Sequence, residues 1–445
     1  MTTLPDVLEG ALQGALGPDG RAPGAVTQRG RVVAVTGLGV RLEGLRLPIG
    51  TLCQLGGQPE GDGGCLAEIV GFDGGEAIAV PLGSDRGLHP GMAVSSRALP
   101  IEVPVGDRLL GRILDPLGRP LDGGPVPLGP RRGLFANAPD PMSRRPIQEP
   151  FQTGVSAIDG FTTLGRGQRM GLFAGSGVGK STLMGSIVRG SQADRRVVCL
   201  LGERGREVSE FVHEILGPEG LATSVVIVAT AETPAPLRVA GAFASVTIAE
   251  AFREEGHDVL FVLDSVTRFA MAVREIGLAA GEPPTLRGYP PSLFGRIPSL
   301  VERLGNDSNG SITALLTVLV EGDDHDEPVA DALRGHLDGH LVLSREIAER
   351  GRFPAVDVLR SVSRAMPRVV TEEHLEAVNE ARKLLSVYED GRDLVRVGAW
   401  KKGADPELDR AVERAPMIEE VLRQHALEGR AFADTLQALR VAALG

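Results

Sequence analysis

Residues 174–182 read Ala174-Gly175-Ser176-Gly177-Val178-Gly179-Lys180-Ser181-Thr182, between an apolar run at 170–173 and a helical stretch at 183–189. This passage constrains the chain most, because a strand must end, turn on glycines and restart as a helix within a few residues. Such a turn aims successive backbone N–H groups at a polyphosphate, at the positive end of the helix dipole. Lys180 is placed to reach the β- and γ-phosphates of a nucleotide, and the Ser181 hydroxyl to ligate Mg²⁺. Ala174 stands where this pattern usually has its first glycine, a position that opens the turn and need not touch phosphate. Only four of the 47 basic residues are lysine, at 180, 383, 401 and 402, in a chain rich in Gly (59) and Pro (31). A lysine kept against that bias invites a functional account; the alternative is a glycine-rich structural turn.

At 445 residues the chain is too long for one core and predicts about three units. The expected division is a tail at 1–23, a small β-barrel at 24–97, an α/β nucleotide-binding domain at 98–368 and a helical domain at 369–445. In the tail, Leu4, Val7, Leu8, Ala11, Leu12, Ala15 and Leu16 recur at helical spacing. That stripe reads as a docking element for a partner, as a frayed end or as a helix folded on its own domain. From 24 to 97 short alternating runs (30–35, 66–70, 77–80) are separated by turn clusters, the pattern of an all-β barrel. Residues 98–150 read as a Pro/Gly-rich connection. Strand-like runs at 168–173, 196–201, 224–229, 259–263, 312–319 and 340–343 then alternate with helical stretches, as a mainly parallel sheet flanked by helices requires. Helical composition follows at 371–387 and 406–441.

Two acidic positions complete a catalytic reading. Asp264 closes the apolar strand Val259-Leu-Phe-Val-Leu-Asp264, where ligands sit in open α/β sheets. It is placed to hold the Mg²⁺ hydration shell beside Ser181, the alternative being a cap or turn residue. Glu203, in Gly202-Glu-Arg-Gly-Arg-Glu207, follows the strand at 196–201 and is placed to polarise the water that attacks a γ-phosphate. Spacing alone does not separate that role from a solvated charge run.

These stretches extend into a resemblance over nearly the whole chain. They are joined by Thr153-Gly-Val-Ser-Ala-Ile-Asp159, Leu263-Asp-Ser-Val-Thr-Arg-Phe269, Gly281-Glu-Pro-Pro, Gly288-Tyr-Pro-Pro-Ser, Val320-Glu-Gly-Asp-Asp324, Leu337-Asp-Gly-His340, Phe353-Pro-Ala-Val-Asp and Ser361-Val-Ser-Arg364. The chain resembles the hexameric ATPases of type III protein export, relatives of the catalytic subunits of rotary F- and V-type ATPases. The resemblance implies a RecA-like P-loop core, ATP and Mg²⁺ as ligands and a homohexamer. It makes Glu203 the catalytic glutamate, Arg204 its support and Arg268 a γ-phosphate contact. Arg364 matches the arginine finger, inserted into the neighbouring subunit's site. Phe353 would stack on adenine, where relatives often have Tyr; its alternative is core packing. Residues 281–291 would line the central pore and meet a coiled-coil stalk or unfolding substrate, or form a rigid surface loop. The helical domain would engage chaperone-bound cargo and the membrane export gate, and the tail a regulatory, peripheral-stalk-like protein. Residues 166–183 and 361–366 resemble flagellar members and favour flagellar use over a virulence injectisome.

Other classes fit less well. A ring translocase on nucleic acid, similar to a transcription-termination helicase, wants an aromatic, basic barrel. One Trp, two Tyr and a net charge of −11 argue against that partner. A non-catalytic nucleotide-binding ring subunit would lack the acid at 203. His336 and His340 share a metal-like spacing, but Gly335 and Gly339 interrupt the helix it requires. Asp323-Asp-His-Asp326 lacks calcium-loop spacing and reads as part of an active-site switch loop or as a charged turn. No apolar run approaches the ~18 residues of a membrane span, the first residues lack a secretory pattern, and three cysteines form no CxxC pair. The expected setting is the cytoplasm, peripheral to the inner-membrane export apparatus.

Overall fold

The computed structural model describes residues 28–56, 64–96, 101–320 and 327–445. The tail at 1–23 and the expected switch loop at 323–326 lie outside the described residues. The chain divides into two compact units: one contains the barrel and Glu275–Glu282, the other Glu102–Arg274 and Pro283–Gly445.

Six strands, β1 (Arg29–Thr36), β2 (Gly39–Glu43), β3 (Leu52–Leu55), β4 (Cys65–Asp73), β5 (Glu76–Pro81) and β6 (Ala93–Ser96), close a barrel in the order β1-β2-β5-β4-β3-β6. Their alternation is physical. Val40 and Leu42 are wholly buried, while Arg41 between them pairs with Glu76 outside at 2.6 Å. Closure leaves no free strand edge.

In the second unit β7 (Arg112–Leu114), β8 (Arg169–Ala174), α1 (Lys180–Gly190), β9 (Arg195–Leu201), β10 (Ser224–Ala229), α2 (Ala235–Glu254), β11 (Asp258–Asp264), α3 (Val266–Ala279), β12 (Ser311–Leu319), β13 (Gly339–Leu343) and β14 (Val362–Ser363) build a sheet ordered β14-β13-β8-β12-β11-β9-β10-β7. Every pairing along that order is parallel except β13 with β14. Covered faces explain why strands such as β10, Ser-Val-Val-Ile-Val-Ala, are buried at every residue. β7 emerges from the stretch read as a connection. It pairs with β10 through three residues and is fixed by Arg112, whose Nε and Nη2 donate to Asp122 at 2.7 and 2.9 Å.

One expectation needs correcting. Helix α2 has 20 residues and is apolar enough by composition to cross a membrane, although 89% of its apolar window is buried in the protein. Counting uninterrupted apolar runs missed it, because Arg238, Ser245, Thr247, Glu250 and Arg253 break the run. They take part in buried bonds instead. Arg303, 1% exposed, donates from Nε to Glu250 at 2.9 Å, from Nη1 to the Leu134 carbonyl at 2.6 Å and from Nη2 to Thr247 Oγ1 at 3.0 Å. Arg303→Met leaves the Glu250 carboxylate only the Arg253 guanidinium, 4.0 Å away, and is expected to cost about 3–5 kcal/mol. A thermal melt reads this as a midpoint several degrees lower, and Arg303→Met with Glu250→Leu should regain most of it.

The C-terminal segment forms α4 (Glu372–Arg396), α5 (Pro406–Leu422) and α6 (Phe432–Ala443). Thr371 and Asp405 cap α4 and α5, their side-chain oxygens accepting from His374 N and from Glu407 and Leu408 N. Ala377, Leu384, Ile418 and Leu439 share one core with Phe161, Leu341 and Val356 beneath the sheet. The helical pattern at 406–441 is two helices, interrupted at 423–431.

Candidate active site

The turn after β8 carries Gly177 (φ 77°) and Gly179 (φ 90°), both left-handed, where a side chain would strain the backbone. Helix α1 starts directly at Lys180, so its unsatisfied first N–H groups face the turn. Gly175, Ser176, Gly177, Gly179, Lys180, Ser181 and Thr182 line a cleft of about 460 Å³, with Gly202, Glu203, Arg204, Glu207, Arg268, Leu319 and Val320 on its other walls. Val178 differs from the rest of the loop: its side chain is 2% exposed and anchors the turn in the core, so only its backbone can meet a ligand.

The carboxyl ends of adjacent strands β8, β12, β11 and β9 supply these walls. Lys180 Nζ donates to Asp264 Oδ1 and lies 3.6 Å from Glu203 Oε1. Thr317 Oγ1, on β12, also donates to Asp264 Oδ1, at 2.7 Å. The lysine thus bridges the two carboxylates singled out from sequence. Burial first, then a hydrogen bond with the Glu207 carboxyl, push Glu203 up to about 7, while Lys180 pulls it down. The Ser181 hydroxyl with the buried Asp264 carboxylate is a hard-oxygen donor set, and it fits Mg²⁺ held partly through water.

Arg204 stands at the rim, its side chain 84% exposed and 3.7 Å from Glu207, so any support it gives Glu203 runs through that second carboxylate. The stem of Arg268 crosses Gly202, where an added Cβ would sit 2.8 Å from Arg268 Cγ. Its buried Nε has no hydrogen-bond partner among the described residues, a donor suited to an anion.

A second cavity of about 260 Å³ shares Gly179 and Thr182 with the first, and Val155, Leu183, Phe353, Pro354 and Ala355 make it mainly apolar. The Phe353 ring is 48% exposed, which is not core packing, and suits it to stack on a base. The rest of the wall is Ser186, Gln424, His425 and Ala426, which sequence reading missed. Thr317 and Arg345, whose Nη2 donates to the Ser176 carbonyl at 3.4 Å, were missed as well. A threonine inside the apolar run of β12 was the available signal for Thr317.

Arg364 is the site residue the fold does not bring in. It is exposed, follows β14, and is held by its N–H to Asp338 O at 2.9 Å and its Nη1 to Leu337 O at 3.4 Å. It lines neither cavity.

Comparison with known proteins agrees with this architecture. Residues 154–363 match the ATP synthase alpha/beta family, nucleotide-binding domain, and 32–97 match that family's beta-barrel domain. Residues 370–441 match the T3SS EscN ATPase C-terminal domain. The flagellum-specific ATP synthase of Salmonella typhimurium is 48% identical over 427 residues, 93% of each chain. That of Bacillus subtilis is 46% identical over 411 residues, 92% of this chain and 94% of the relative. The type 3 secretion system ATPase of Xanthomonas euvesicatoria is 48% identical over 413 residues, 92% and 93% of the two. Among solved structures, the assembled ATPase EscN of the enteropathogenic E. coli type III secretion system superposes with a TM-score of 0.88 at 42% identity, covering 93% of this chain and all of that one. EscN in complex with its central stalk EscO gives 0.85 at 41%, with the same coverage. With barrel, nucleotide-binding core and helical segment each matched, the chain belongs to the family of flagellum-specific ATP synthases and type 3 secretion system ATPases.

Proposed function

We propose that the chain, as a ring of six identical subunits, hydrolyses ATP to drive type III export of flagellar proteins, releasing them from chaperones and unfolding them at the export gate. The observation that carries this reading is the convergence of Lys180, Glu203 and Asp264 at the mouth of a phosphate-binding turn, with Arg364 presented outward. The backbone N–H groups of 175–180 and the Lys180 ammonium hold the β- and γ-phosphates. Ser181 and Asp264 hold magnesium, which when bound spreads the phosphate charge. Glu203 takes the proton as a water oxygen bonds to the γ-phosphorus, and the bond to the ADP oxygen breaks. Arg268 and the neighbour's Arg364 stabilise the charge on the transferring group, and Phe353 stacks on adenine. Arg204 holds Glu207, and through it the angle of Glu203.

The match of 370–441 to an export-type C-terminal domain supports this reading over a nucleic-acid translocase, and the acid at 203 supports it over a non-catalytic subunit. The solved complex of EscN with its central stalk EscO supports a central-stalk partner for this chain, which in this reading is a coiled coil met by residues 281–291. In this reading the tail at 1–23 binds a peripheral-stalk-like regulator and the helical domain binds chaperone-bound cargo. The enzyme then works in the cytoplasm against the inner-membrane export apparatus. Expression in a bacterium lacking its own flagellar export ATPase should restore flagellin to the culture medium. Restoration of injectisome secretion alone would assign the other system, and RNA-stimulated hydrolysis by the purified protein would overturn the export reading.

A further inference from the structure

The interruption between α5 and α6 is stitched down from several sides. Gln424 is 8% exposed, and its backbone N–H donates to the Phe353 carbonyl at 3.0 Å. Its side-chain Nε2 donates to the carbonyls of Gly154 at 2.7 Å and Glu428 at 2.6 Å, and its Oε1 accepts from Ser156 N at 2.8 Å. Two residues on, the Ala426 carbonyl accepts from Ser186 Oγ and Arg189 Nη2 on α1, both at 2.8 Å. The same residues, 424–426, form a wall of the cavity that Phe353 lines. One side chain therefore fixes that wall to Gly154 and Ser156, while α1 fixes it to the phosphate-binding turn.

We propose that Gln424 is a positioning residue for the nucleobase: it sets the wall facing the base and so governs affinity for the base without governing the phosphates. The inference rests on the ATP reading above. A base in a small apolar cavity gains mainly from ring stacking and close contact, and a gap under an ångström forfeits much of that gain. None of the hydrogen bonds of Gln424 reaches the phosphate cleft: its partners are Gly154, Ser156, Phe353 and Glu428. Both amide hydrogens are committed, so the donor character of the side chain, rather than its size, holds the wall. A carboxylate of the same shape would keep the bond from Ser156 N and turn an acceptor toward two carbonyls.

The test compares ATP with inorganic tripolyphosphate, which offers the cleft a phosphate chain and the cavity nothing. In full-length Gln424→Ala the KM for ATP is expected to rise about tenfold with kcat changed less than about threefold, a loss of binding common to ground and transition states. Competition by tripolyphosphate should stay within about twofold of the parent, because its contacts are phosphate contacts alone. Gln424→Glu at pH 8 should weaken ATP at least as much as the alanine variant. Ser186→Ala, a change at a half-buried position on the same cavity that removes one donor to Ala426, should raise the ATP KM about threefold and leave tripolyphosphate alone, and it decides the matter if Gln424 variants fail to fold. Equal weakening of ATP and tripolyphosphate, or an unchanged ATP KM in these variants, overturns the proposal. A parent protein that does not hydrolyse ATP would instead overturn the reading on which it rests.

Discussion

Glu203→Gln subunits should bind ATP nearly as the parent does and turn it over about 10²–10⁴-fold more slowly, the usual worth of a positioned proton acceptor. The substitution keeps the shape of the side chain and removes only its capacity to take a proton. Lys180 keeps its bond to Asp264, so the phosphate-binding turn retains its main tether. Equilibrium binding of a non-hydrolysable ATP analogue and the rate of ADP release read the two halves separately. The pH profile supplies a second arm. Burial, chiefly, raises the Glu203 carboxyl to about 7, and only the deprotonated form accepts a proton. The parent's kcat/KM should therefore rise through an acid limb centred near 7 and level off above it, since that ratio reports the free enzyme. Residual turnover by Glu203→Gln should lack the limb. A variant that keeps more than about a tenth of parental turnover removes the assigned role.

Arg364→Ala should lower turnover by about 10³–10⁵-fold, the range over which an arginine finger acts. Its placement makes the sharper forecast. Because the guanidinium is exposed and lines neither cavity of its own chain, a finger acting at a γ-phosphate must come from a neighbour. Mixing Arg364→Ala with Glu203→Gln subunits then rebuilds intact sites wherever the first kind contributes the glutamate and the second the arginine. For random assembly at equal amounts that is about a quarter of all sites in a closed ring. Each variant alone should be nearly inactive, so recovered hydrolysis in the mixture is unambiguous. No recovery, with rings still assembled, would place the finger in its own subunit or remove it from catalysis.

The parts of the site that lie at one strand end are legible in the sequence. A glycine turn between an apolar run and a helix, and acids at the ends of two further apolar runs, single out Lys180, Asp264 and Glu203 as candidates without any knowledge of pairing, and the resemblance gives Glu203 its role. What joins them is not local. Strand β12 follows β8, β9, β10 and β11 in the chain, yet inserts between β8 and β11, and that order brings Lys180, just after β8, to Asp264 at the end of β11, with Thr317 of β12 beside it. β7 is a three-residue strand between Gly111 and Pro116, too short for periodicity to show. The break at 423–431 does not show in the helical composition, and one of the bonds that hold it, from Ser156 N to Gln424 Oε1, spans 268 residues of the chain. The family resemblance supplied Arg268, Arg364 and Phe353, which spacing alone would not have singled out.

The scarcity of lysine acquires a practical meaning once the fold is known. The Lys180 side chain is 11% exposed, and Lys383 lies inside helix α4. Lys401 and Lys402 stand together on an exposed link between α4 and α5 that belongs to neither helix. A lysine-directed protease needs a stretch it can draw into extended form, and among these four positions only that link offers one. A single nick there would part the backbone of α5, α6 and the wall of the base cavity from everything before it. The phosphate-binding turn and Phe353 would stay together on the first piece, with residues 424–426 held against them by non-covalent contacts alone.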